Sequence, residues 1–235
     1  MTGSREPPGW DAPSAPAPGR AELGRALAPI VGGGIALALG AAIFVAPLAG
    51  IVVLAALGGA GWWWTNAQGR RALRSLEAAR VESSGAPRLV NLAAGLAADL
   101  GIATPALWVI PEGGPNALVC RAQGRLCLGV TRSLLERYTR TELEAVIAHC
   151  LVRMARSPLV AESIAAAFPF AARPVGALVG NGEDVTAAAL TRYPPALEAA
   201  IAKAEPGRRH EPFWFVAEGP WHRPREGRVR TLGDL

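Results

Sequence analysis

Lysine is nearly missing from this chain: Lys203 stands alone among 24 basic residues, the others all being arginine. Cysteine and histidine occur three times each, methionine and tyrosine twice, and only 18% of the side chains are charged. Three cysteines, Cys120, Cys127 and Cys150, do not make a disulfide framework. Cys120 and Cys127 flank a turn and read as small apolar residues facing each other on paired strands. The shortage of charge beside 51% hydrophobic residues excludes a disordered chain and a coiled coil. The net charge of +5 is carried by arginines spread along the sequence, which gives little support to a basic anchor for anionic lipid or nucleic acid.

What is present is a long apolar run. No charged residue occurs from Ala26 to Trp64, a stretch of 39 residues. As one helix it would measure about 58 Å, against a hydrocarbon core of ~30 Å. The sequence therefore predicts a transmembrane hairpin over residues 26–64, two short helices meeting near Ala46 and Pro47, with a single span as the rival. Trp62, Trp63 and Trp64 would sit at the interface. Arginines on both sides of the run favour both ends in the cytoplasm. The expectation is a multi-pass protein of the cell membrane, with the bilayer as its first partner and a cytoplasmic globular domain. Ahead of the run, residues 1–25 form a Pro-rich tail expected to be disordered, with five prolines in its first 20 positions. Behind it, residues 65–85 read as a basic helical stalk and 86–235 as the globular domain.

The globular part alternates helical and strand periodicity. Leu89, Leu92, Leu96 and Leu100 mark a helix that Gly101 would end. Leu107–Ile110 is a short strand, and Ala117–Arg121 and Arg125–Val130 make a hairpin about Gln123 and Gly124. A further helix starts near Thr139, which has capping-box spacing with Glu142, and stops before Pro158. Between 158 and 179 two charges and two internal prolines argue for a globular or membrane-surface segment rather than a clean span. The aromatic run Phe213, Trp214 and Phe215, with Trp221, reads as core cover.

The succession Pro87-Arg88-Leu89-Val90-Asn91-Leu92, Gly101-Ile102-Ala103-Thr104-Pro105, Asn116-Ala117-Leu118 and Glu142-Leu143-Glu144-Ala145-Val146-Ile147-Ala148-His149 resembles the HtpX-like and CaaX-prenyl-protease-like zinc metallopeptidases. Asp184, Leu190 through Leu197, His222-Arg223-Pro224 and Arg228-Val229 continue the likeness, so that it reaches over roughly residues 70–235 with gaps. The resemblance implies an α+β, mainly helical, zincin-like fold with a small sheet. It also implies HExxH on a helix, two histidines gripping one zinc and the glutamate acting as general base.

Here that stretch reads His149-Cys150-Leu151-Val152-Arg153. Only the first histidine remains. Cys150 stands for the general base and Arg153 for the second ligand. The same register puts the third ligand at Gly180 and an orienting aspartate at Asp184, while Glu183 falls three residues out of place. No zinc or other cofactor is therefore expected, and the expected function is that of an inactive pseudopeptidase binding a polypeptide, a partner protein or a membrane protease paralogue. The alternative is an active zinc endopeptidase with a rebuilt ligand set drawn from Cys150, Glu183 or His210. Two finer expectations follow. Asp184 would accept from His149 and Arg153, filling the old metal position with an ion pair. Asn116, Ala117 and Leu118 match the edge strand on which relatives dock extended peptides, or else form a plain outer strand.

Overall fold

The computed structural model describes residues 28, 31–40, 47–82, 85–156, 159–171, 182–219 and 223–235. Expectations for the tail, the turn at Ala46, Gly180, Trp221 and His222 lie outside these residues. Helix α1 spans Pro47–Ser75 and is followed by a two-residue strand, β1, at Ala79–Arg80. Then come α2 (Pro87–Asp99), β2 (Ala106–Ile110), β3 (Ala117–Ala122) and β4 (Arg125–Thr131). The rest is helical: α3 (Arg132–Arg137), α4 (Arg140–Arg156), α5 (Val160–Ala167), α6 (Glu183–Thr191), α7 (Pro194–Lys203) and α8 (Arg225–Gly233). The architecture is α+β and mainly helical with a small mixed sheet, as the sequence predicts.

Sheet order is β1-β2-β4-β3. β2 and β4 run parallel, while β3 and β4 form the predicted hairpin, with Cys120 opposite Cys127. Both thiols are free. Gln123 and Gly124 both take positive φ at the turn, 51° and 75°, the backbone that a two-residue hairpin of matching twist requires. Gly101 (φ 64°) ends α2 as predicted.

The period-2 alternation of β3 explains where the helices go. Ala117 and Val119 face a core shared with α2, α4, α6 and α7, whereas Leu118, Cys120 and Ala122 face a second core under α1 and Phe213. One face of the sheet thus carries α4 and the other the end of α1. Helix α4 is buried on almost every side from Leu143 to Met154.

One expectation changes at α1. The helix does not continue as a stalk to Val81: it stops at Ser75, and Ala79 and Arg80 pair with Val109 and Trp108 instead. Its last turns are not free either, because Ala67, Gly69, Ala72 and Leu73 are buried against the domain. Gly69 makes this docking feasible, since a Cβ there would lie 2.1 Å from the Arg121 carbonyl oxygen of β3. The membrane hairpin expected over residues 26–64 lies partly outside the described residues. Among the described residues no helix is long and apolar enough to cross a membrane. Gly58, Gly59, Gly61 and the tryptophan run dilute the apolar first part of α1, and arginines follow. That part is nonetheless exposed, with Ile51 and Val52 each 64% accessible.

Candidate functional site

Helix α4 places the first site residues. Its start is fixed by a reciprocal cap: Thr139 N–H donates to Glu142 Oε2 (2.9 Å), and Glu142 N–H donates to Thr139 Oγ1 (3.3 Å). Lys203 Nζ of α7 lies 2.5 Å from Glu142 Oε1, fastening the same end. With that register set, His149 and Arg153 share one helix face, four residues apart. Both are buried.

His149 meets α6. Its Nδ1 stands 2.9 Å from Asp184 Oδ1, though off the line of a well-aligned hydrogen bond. The ring also packs edge-on against Phe215, with centroids 4.9 Å apart. Burial lowers the His149 pKa, and Asp184 only partly opposes it, so the imidazole stays neutral. Asp184 is itself held by Arg228 of α8, whose Nε and Nη2 donate to its two oxygens at 2.8 Å each. Burial pushes the Asp184 carboxyl up, but Arg228 and His149 outweigh it and hold the group ionised far below the usual carboxylate range. His149 and Asp184 are thus brought together as expected, without the aligned hydrogen bond that was expected between them.

The other half of that expectation is corrected. Arg153 does not reach Asp184. Its Nε donates to Glu162 Oε1 of α5 at 3.2 Å, its Nη1 to the Trp214 carbonyl at 2.9 Å, and its Nη2 to the Pro212 carbonyl. The reason is competition at both ends: Arg228 already occupies the Asp184 oxygens, and Glu162, fully buried, has no water to solvate it. Burial raises the Glu162 pKa, with Arg153 pulling the other way.

Cys150 faces the core, and burial pushes its thiol up to about 12, so it supplies no thiolate near neutral pH. Glu183 is buried beside Asp184. His210 does not join the others: its Nε2 lies 2.8 Å from Ser75 Oγ at the end of α1. Among the described residues no three His, Cys, Asp or Glu side chains come together as a metal site would need.

Of the two readings for this edge, the plain outer strand is the one present, since β3 ends the sheet order. Asn116, Ala117 and Leu118 are buried, because the chain's own residues 214–216 lie along that edge. Phe215 N–H donates to the Ala117 carbonyl at 2.7 Å, and Leu118 bridges Trp214 in antiparallel fashion. Asn116 uses all its side-chain capacity on this seam. Nδ2 donates to the Glu205 and Val216 carbonyls at 2.7 Å each, and Oδ1 accepts from Ala117 and Val216 N–H at 2.8 and 3.2 Å. The two arginines finish the seam from the other side, since Arg228 Nη1 donates to the Phe215 carbonyl at 2.8 Å. Phe213, Trp214 and Phe215 are core residues, as expected.

Four residues of the site have no role assigned to them in the sequence: Glu162, Arg228, Pro212 and Trp214. Glu162 carried a signal, being a carboxylate in an apolar segment that had to find a cation. Arg228 closed a family motif without an assigned task. The carbonyls of Pro212 and Trp214 left no trace, because main-chain acceptors look alike in any sequence.

Taken together, fold and site define a mainly helical α+β protein built round a buried helix that carries a peptidase-like His149-to-Arg153 stretch. No protein-family model matches the chain. Curated relatives do, each described as a protease HtpX homolog. That of Thermococcus sibiricus is 36% identical over 87 residues, 37% of this chain and 30% of its own length. That of Pelotomaculum thermopropionicum is 32% identical over 111 residues, 44% of this chain and 40% of the relative. That of Moorella thermoacetica is 30% identical over 142 residues, 57% of this chain and 46% of the relative. The chain thus spans less than half the length of these relatives, and the likeness supports an HtpX-like protease family.

Proposed function

We propose that this is a membrane-associated, metallopeptidase-like protein without peptidase activity, acting by binding a polypeptide or partner protein. The observation that carries this reading is the fate of Arg153. At the position where the resemblance requires a second zinc-binding imidazole, a buried guanidinium is committed to Glu162 and two main-chain carbonyls. The residues present do not fit a zinc ion. A dication about 4 Å from a guanidinium would be repelled by roughly 8 kcal/mol at an effective dielectric of ~20. His149 could offer one donor, and a catalytic zinc needs three protein ligands and an open position. Cys150 carries neither the charge nor the basicity of a general base while its thiol is protonated. The cleft beside the edge strand is moreover taken by residues 214–216, so an extended substrate would have to displace a strand that Asn116, Arg153 and Arg228 hold in place.

The test is direct. The full chain is purified in detergent, its zinc is measured by elemental analysis, and casein cleavage is followed with and without chelator. Expected are substoichiometric zinc and no chelator-sensitive cleavage. Stoichiometric zinc with chelator-sensitive cleavage would replace this reading with that of an active endopeptidase. The triple substitution Cys150→Glu, Arg153→His and Gly180→Glu is expected to gain zinc, measured the same way.

A further inference from the structure

The arginines scattered along the sequence are gathered by the fold. A cavity of about 310 Å³ opens between the end of α1 and the sheet, lined by Arg70, Arg74, Arg80 and Arg125 with no carboxylate among its lining residues. Arg74, Arg80 and Arg125 are exposed, and none of the four forms an ion pair among the described residues. Trp108 and Cys127 line the floor of the same cavity, with the indole N–H directed at the Cys127 sulfur. Four mutually repelling guanidiniums around one space make an environment that an anion would relieve. Guanidinium groups match phosphate oxygens bidentately.

A second cleft of about 330 Å³ adjoins the first, sharing Arg70 and Gln123 with it. Its other lining residues include Arg121, Trp62 and Trp63, the indoles being 65% and 61% exposed. Indole rings partition to the headgroup level of a bilayer, and the exposed apolar turns of α1 lead directly to them. Free phosphate would have no use for that aromatic wall. We infer that the cleft bounded by Arg70, Arg74, Arg80 and Arg125 binds the phosphate of an anionic lipid headgroup, with Trp62 and Trp63 resting against the lipid. The inference does not depend on whether the His149 site is catalytic.

The experiment uses the full chain in an uncharged maltoside detergent and follows its melting temperature. Short-chain phosphatidylglycerol, short-chain phosphatidylcholine and inorganic phosphate are each titrated in at fixed ionic strength. Phosphatidylglycerol is expected to raise the melting temperature saturably, and phosphatidylcholine and phosphate are expected to have little effect. The variant Arg80→Gln/Arg125→Gln, at exposed positions, should melt as the parent does without lipid yet bind phosphatidylglycerol at least tenfold more weakly. The variant Arg140→Gln/Arg208→Gln loses the same charge away from the cleft and should keep the parent's affinity. An equal response to phosphatidylcholine, an equal response to inorganic phosphate, or equal weakening by both variants would each overturn the assignment. Should the cleft variant not fold, the three titrations of the parent chain still decide.

Discussion

Arg153 and Glu162 are each buried with the other's charge as the main compensation. Removing one member of such a pair strands the other. Arg153→Met is therefore expected to destabilise the protein by about 3–5 kcal/mol, read from urea unfolding. The double variant Arg153→Met/Glu162→Leu should recover most of that loss, because two apolar side chains leave no charge unpaired. His149 yields a pH prediction. Its folded pKa lies below the ordinary 6.5, so the unfolded chain takes up its proton first as pH falls. Its contribution is then present above about pH 6.5 and is lost progressively below it. His149→Gln should flatten that part of the stability-versus-pH curve while leaving the fall near pH 4 that Asp184 imposes, its own pKa being held below 3.8. An unaltered curve between pH 5 and 7 would show that His149 is not the titrating group.

At the level of elements, two seams hold the site in place. Helix α1 reaches β3 only because Gly69 has no side chain, and its close neighbour is main-chain oxygen that cannot rotate away. Gly69→Val should push the helix off the sheet and cost about 1–3 kcal/mol, seen as a lower melting temperature. It should also open the arginine cleft, half of which is borne by α1. The second seam joins β3 to residues 205–216 through Asn116. Asn116→Ala strips the Glu205 carbonyl of its side-chain donor and the Ala117 and Val216 N–H groups of their side-chain acceptor, while the Val216 carbonyl keeps the Gly207 N–H at 3.0 Å, and unsatisfied buried groups carry penalties of about 1–3 kcal/mol each. The expected result is a drop of roughly 3 kcal/mol and faster limited proteolysis between residues 205 and 219, mapped by mass spectrometry. Unchanged proteolysis would mean that the own-chain strand is held by other contacts.

For the whole molecule, helices α2 and α4, the hairpin and its turn, and the stop before Pro158 were legible because each depends on nearby residues: leucine spacing, a Gln-Gly turn, a Thr139–Glu142 cap. That the His149-to-Arg153 stretch carries one histidine and ends in arginine was equally legible, since a short stretch on one helix is a local object. The end of α1 was misread because Leu73–Val81 looks helical until β2 offers Ala79 and Arg80 a strand to pair with. The destination of Arg153 was misread because Asp184, Glu162 and two carbonyls were all acceptors of the right kind, and only their positions separate them.

The amino-acid sequence by itself determined the mainly helical α+β class, the apolar run ahead of the domain, and a His149-to-Arg153 stretch with a single histidine. These follow from periodicity and spacing within a few turns of chain. Only the tertiary structure decided which charges meet, that residues 214–216 lie along the β3 edge, and that arginines far apart in sequence line one cleft. Such contacts join residues up to 135 positions apart, and their choice rests on burial and competition among equivalent partners, quantities that exist only once the chain has packed.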